Sequence, residues 1–165
     1  MSELSTDPRL AGRCACGAVT YTACEAPLFV QACHCRDCQR TTGSGFVVHI
    51  VLSRAALVVL GETRVGSGPT GSGAGCELNA CAACGVILWT RYLYHEAPVV
   101  ALRAGTLLDP GAVVPQAHIF VRNKLPWLEL ERDMPTFEAG ASREQMWPAA
   151  SLARYAALAH AAQQI

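Results

Sequence analysis

From Gly12 onward the apolar residues fall in short runs separated by turn-forming positions. Val19-Thr20-Tyr21 and Leu28-Phe29-Val30 are brief β-rich stretches, and Phe46 to Leu52 is a longer apolar run broken only by His49. Leu57 to Leu60 follows, with Gly61-Glu62 as a turn, and Val86 to Trp89, Val99 to Arg103 and His118 to Val121 extend the series. Short runs of this kind, punctuated by Pro98, Pro110, Pro115 and Pro126, predict β-strands. The segment GSGPTGSGAG, Gly66 to Gly75, has low complexity and predicts an exposed flexible loop.

The pattern changes near the C-terminus. Ser142-Arg143-Glu144-Gln145 has capping-box spacing, which Pro148 interrupts. From Ala149 the text AASLARYAALAHAAQQ places Leu152, Tyr155, Ala159 and Ala162 on one side of an alanine-rich helix. That face would serve either the β core or a second copy in a homodimer. The expected organisation is a flexible lead-in over 1–11 with Asp7-Pro8 as a breaker, a β domain over 12–138 and a helical tail over 139–165. The fold class is mainly β with a short C-terminal helix.

The chain's 165 residues suffice for one domain with a real core. Charged residues make up 16% and apolar ones 52%, which excludes a disordered solvating chain. Thirteen basic residues balance thirteen acidic ones, and Lys124 is the only lysine. Without a basic stripe, a protein that holds nucleic acid by phosphate neutralisation is not expected. The N-terminus has no secretory pattern and no apolar run is long enough to span a bilayer, so the expected location is the cytoplasm, away from membranes. Thiols stay reduced there, and an odd count of nine cysteines suits metal binding or catalysis better than disulfides.

Seven of those cysteines fall in three clusters: Cys14-Ala15-Cys16-Gly17, Cys33-His34-Cys35-Arg36-Asp37-Cys38 and Cys81-Ala82-Ala83-Cys84-Gly85. A C-x-x-C turn makes two thiolates converge on one ion, and C-x-C places two on the same side of an extended segment. The first and third clusters together supply four ligands, a closed structural set. The middle one supplies three, leaving a position open, which is the catalytic pattern. Other readings remain: a redox C-x-x-C pair, buried apolar cysteines, or two closed structural sites with Cys24, Cys76 or His34 completing the second.

Four motifs in order carry a family resemblance. Gly12-Arg13-Cys14-Ala15-Cys16-Gly17-Ala18-Val19, Cys33-His34-Cys35-x-x-Cys38-Gln39-Arg40, Gly43-Ser44-Gly45-Phe46 and Cys81-x-x-Cys84-Gly85 resemble the glutathione-dependent formaldehyde-activating enzyme family, which includes centromere protein V. Gly105-Thr106-Leu107, His118-Ile119-Phe120 and Lys124-x-Pro126-Trp127 are similar as well. The resemblance implies a zinc-bearing β-tent fold. It implies structural zinc at Cys14, Cys16, Cys81 and Cys84, and catalytic zinc at Cys33, Cys35 and Cys38. It further implies a carbon–sulfur lyase that joins glutathione, or a related small thiol, to formaldehyde or a similar aldehyde. The alternative is a non-catalytic, zinc-stabilised module that binds another protein.

Smaller expectations attach to single residues. Arg36 and Arg40 flank the middle cluster and are candidates for binding the carboxylates of glutathione. His34 is a candidate proton shuttle, hydrogen-bond support for a ligand, or packing residue. His49 and His118 read as satisfied core histidines, His95 and His160 as surface residues, and Trp127 as a core or pocket-wall residue. Cys24 and Cys76 read as bystander thiols.

Overall fold

The computed structural model describes residues 10–70 and 73–164. Most of the expected lead-in and Gly71-Ser72 of the glycine-rich segment therefore lie outside the described residues. Along the chain run β1 (Leu10–Arg13), β2 (Thr20–Ala23), β3 (Phe29–Cys33), α1 (Arg36–Thr42), β4 (Val47–Ser53), β5 (Leu57–Leu60), β6 (Thr63–Gly68) and β7 (Cys76–Cys81). They are followed by β8 (Ile87–Tyr92), β9 (Val99–Arg103), β10 (Ala117–Ile119), β11 (Thr136–Phe137), α2 (Arg143–Met146) and α3 (Ala149–Ala162). The chain is mainly β and ends in a helix, as the pattern predicts.

The strands form two sheets. A three-stranded sheet has the order β1-β2-β5, and an eight-stranded sheet has the order β11-β10-β3-β4-β9-β8-β7-β6. β4 and β9 sit at the centre of the larger sheet and are covered on both faces, which is why they read as continuous apolar runs. Alternate residues Ile50, Leu52, Val100 and Leu102 pack with Tyr21, Ala23 and Leu57 of the smaller sheet. On the opposite face Val51 and Val99 pack with Phe29, Trp147, Tyr155 and Ala159. The result is three layers: small sheet, large sheet, C-terminal helix.

α3 docks through Ser151, Tyr155 and Ala159, with Leu152 and Leu158 partly buried, whereas Ala162 is exposed. The face open to either the core or a second copy is thus occupied by the chain's own core. The Tyr155 hydroxyl accepts the backbone N–H groups of Glu96 (3.1 Å) and Ala97 (3.4 Å). Ser142 forms the capping box with Gln145, and Trp147 stacks on Phe29 with ring centroids 5.9 Å apart. No helix among the described residues is long and apolar enough to cross a membrane.

Three local expectations need correction. Leu10 and Ala11 are not lead-in but the first half of β1, paired with Ala23 and Thr22. Gly66, Ser67 and Gly68 are not loop; they close β6 and pair with Leu78, Glu77 and Cys76. A backbone ladder needs only N–H and C=O groups, which glycine supplies, so composition underestimates such a strand. Trp127 packs neither in the core nor in a pocket: it is 72% exposed. It lies in a surface turn where the Lys124 ammonium donates to the Leu125 and Leu128 carbonyls.

Candidate functional site

The first and third cysteine clusters meet at one end of the molecule. Cys14 and Cys16 lie in the β1–β2 turn; Cys81 ends β7 and Cys84 lies in the β7–β8 turn. Both turns close alike: Gly17 N–H donates to the Cys14 carbonyl (3.1 Å) and Gly85 N–H to that of Cys81 (3.0 Å). Gly17 and Gly85 take φ of 78° and 75°, a left-handed bend that a side chain would oppose. Val19 N–H points at the Cys14 sulfur, 3.2 Å away. The four sulfurs lie within 4.8 Å of one another, Cys14 and Cys81 buried, Cys16 and Cys84 exposed.

Backbone N–H groups of Val86 and Cys16 hold the Cys84 thiol down to about 6. Ala18 N–H also favours the Cys16 thiolate, but Cys14 and Cys84 beside it push that thiol up to about 11. Four thiolates cannot share this space unless a cation sits among them. The donor set is therefore that of a tetrahedral, all-sulfur metal site.

The middle cluster is built differently. Cys33 ends β3, and Cys35, extended at ψ 152°, caps α1 by accepting the Cys38 N–H at its sulfur (3.3 Å). The chain pattern gives no hint of α1, because cysteine is an unusual cap and the helix is short. All three sulfurs are buried, within 4.8 Å of one another. Hydrogen bonds from Cys33 and Cys38 hold Cys35 down to about 2. Cys33 in turn favours a Cys38 thiolate, yet Cys35 and burial push Cys38 up to about 12. Cys33 is pushed up by the same two neighbours. One thiolate forms readily and three do not, which again fits a site completed by a cation.

Among the described residues no fourth Cys, His, Asp or Glu joins that trio. His34 turns elsewhere: its Nε2 is 2.9 Å from Nδ1 of His118, and its ring packs on Phe46. His49 reaches only Cys38, at 3.6 Å, while its Nε2 also meets the Tyr92 hydroxyl at 3.1 Å. Burial and the nearby Arg103 hold His49 down to about 3, so it stays neutral.

The trio opens on a cavity of about 320 Å³. Its floor is one face of the large sheet, where alternation brings Gln31, His49, Val51, Thr90, Tyr92 and Arg103 to the same side. Its roof is the tail from Gly140 to Trp147. Phe120, at φ 56° the only non-glycine with positive φ among the described residues, is held against the wall.

The cavity sorts the candidates. Arg36 and Arg40 are exposed on α1, engaged by Gln39 and Asp37, and neither lines it. Two cations do: Arg143 in the roof, stacked over the Tyr155 ring, and Arg103 on the floor, 5% exposed, which cluster spacing gives no reason to single out. A charged residue at an inward position of the apolar run VVALR is the available signal. His49 is a cavity residue with an unpartnered Nδ1 rather than a satisfied core histidine. His95 also lines the cavity, between Tyr94 and Tyr155, and is not a surface residue. Cys76 is buried in the same wall, its sulfur 3.5 Å from the Gly68 carbonyl, while Cys24 is exposed.

Comparison with known proteins agrees with the motif order. No curated protein sequence matches at a significant level. A crystal structure of a Rhodobacter sphaeroides protein is similar over 64% of this chain and 91% of its own, with 19% identity and a TM-score of 0.45. The family model described as glutathione-dependent formaldehyde-activating enzyme matches residues 9–123, a span that contains all seven clustered cysteines, and the chain belongs to that family.

Proposed function

We propose that this protein is a cytoplasmic, zinc-dependent carbon–sulfur lyase that joins glutathione, or a related thiol, to formaldehyde or a similar aldehyde. Two zinc ions per chain are assigned, a structural one to Cys14, Cys16, Cys81 and Cys84 and a reactive one to Cys33, Cys35 and Cys38. Zinc held by three thiolates supplies a ligand position for an incoming sulfur and favours its anionic form near neutral pH. The reaction is an addition: sulfur attacks the aldehyde carbon, a carbon–sulfur bond forms, and the proton lost by the thiol ends on the carbonyl oxygen. The reverse breaks that bond and returns thiol and aldehyde.

The chain's own residues supply position and dryness. Val51, Leu78, Ile119 and Phe120 make apolar wall in the cavity, Ile119 and Phe120 packing with the sulfur trio. Tyr92, kept protonated by burial, is a hydrogen-bond donor on the floor. Neutral His49 fixes Tyr92 and Cys38 relative to each other.

The observation that carries this reading is the trio: three buried sulfurs from one hexapeptide, beside a cavity, with no fourth protein ligand among the described residues. The test is metal analysis together with exchange NMR of glutathione and ¹³C-formaldehyde. Two zinc per chain and accelerated exchange are expected. Cys35→Ser is expected to return exchange to the uncatalysed rate with the far-UV circular dichroism unchanged. A wild-type protein that never accelerates exchange would leave the protein-binding module as the better reading.

A further inference from the structure

Arg103 is costly as it stands. It is 5% exposed, and its Nε and Nη1 have no hydrogen-bond partner. Nor does it make an ion pair among the described residues. A buried guanidinium left this way loses its hydration with nothing in return, one of the most unfavourable arrangements a core can hold. Its position is nevertheless firmly set. β9 is central in the large sheet, Arg103 pairs in register with His49, and its carbonyl accepts the Thr106 hydroxyl at 2.8 Å.

Besides His49 Nδ1, two other cavity residues share the condition. Thr90 Oγ1 on β8 and Trp147 Nε1 in the tail are buried without partners, and both line the cavity with Arg103. Three unmet donor groups, one permanently charged, line a space of about 320 Å³. A role for Arg103 as distant counter-charge to the sulfurs leaves its own hydrogen bonds unmade and explains neither Thr90 nor Trp147. A planar fork of N–H donors is what a carboxylate meets with two parallel hydrogen bonds.

We infer that the cavity contains a carboxylate-binding subsite at Arg103, with Thr90 and Trp147 as accessory donors, so that the substrate is an acidic thiol which places a carboxylate beside the sulfur trio. The inference rests on the carbon–sulfur reading for the word thiol, but not for the anion. It also brings the tail into ligand binding. Trp147 lies outside the span that the family model matches, residues 9–123.

The experiment compares acid and ester forms of one ligand on the zinc-loaded full chain by calorimetry. S-methylglutathione, whose sulfur is capped, and its diethyl ester are the probes. The wild type is expected to bind the acid at least about thirty-fold tighter than the ester. Arg103→Gln is expected to reduce the acid to the level of the ester and leave the ester unchanged, with Arg103→Lys in between. Arg103→Met without ligand is expected to melt at a higher temperature than the wild type, because an unpaired buried charge has gone. That readout stands even if the other variants bind poorly for structural reasons.

Arg103→Gln weakening acid and ester equally would overturn the subsite, as would a wild type that takes both alike or binds neither. The two readings fail separately. Arg103-dependent binding of S-methylglutathione without glutathione turnover removes the lyase and keeps the subsite; turnover indifferent to esterification does the reverse.

Discussion

The two cysteine groups use the same atom for opposite ends. The four-sulfur group gathers its ligands from β-turns far apart in the chain, leaves two of its sulfurs exposed, and fixes the small sheet to the β7–β8 end of the large one. The three-sulfur group takes every ligand from one hexapeptide, buries them all, and faces a cavity. Closing a long loop restrains the unfolded chain, so the first group bears on stability. Three neighbours in sequence restrain almost nothing, so burying them together serves the site rather than the fold.

The largest expected effect follows directly. Cys84→Ser is expected to abolish the cooperative thermal transition, or to lower its midpoint by more than about ten degrees, because structural zinc in small domains contributes ~10–16 kcal/mol, as much as a whole domain's stability. Cys35→Ser, by contrast, is expected to leave that transition nearly in place. Calorimetry on both variants decides the matter, and equal losses would erase the distinction between the two groups.

A smaller effect separates the same two halves by pH. Burial, with the charge of Arg143 adding to it, holds His95 down to about 4. His34, His49 and His118 are lowered as well, burial being the first cause for each, and all four lie on the cavity half of the molecule. The unfolded chain then binds protons before the folded one does. Stability is complete above about pH 6.5, the ordinary histidine value, and falls as pH drops from there towards 4. His95 alone accounts for up to about 3 kcal/mol of that loss. His95→Gln is expected to flatten the acid limb of stability, measured by urea melts between about pH 4 and 7. Hydrogen exchange is expected to show α3 losing protection before β1 and β2.

Much of this is legible along the chain, for reasons that differ by element. Val99 to Arg103 and Leu57 to Leu60 appear as strands within the bounds their apolar runs suggest. The partition of sulfurs into four and three is also visible, since ligand spacing is a local property and the chain needs only to fold for it to be used. β6 and β7 are harder: VGSG and CELNAC carry little strand propensity, β7 owing its pairing to β8 and β6 in turn to β7. The cavity is hardest. Arg103, Thr90 and Trp147 come together only through sheet register and tail docking, and no spacing along the chain encodes that.

The smallest effect concerns the roof. Tyr155 is buried, stands edge-on to Trp147 with ring centroids 5.6 Å apart, and its hydroxyl satisfies two backbone N–H groups, those of Glu96 and Ala97. Tyr155→Phe keeps the ring and the packing but strands those donors, which costs about 1–2 kcal/mol and lowers the melting midpoint by a few degrees. The four-sulfur half is untouched, so the same chelator concentration is expected to release the structural ion from variant and wild type alike. Because the roof carries Trp147, the variant is also expected to bind S-methylglutathione a few-fold more weakly. A Tyr155→Phe protein that melts lower and still binds that probe at full strength would show the tail to be a stabilising strap with no share in the cavity.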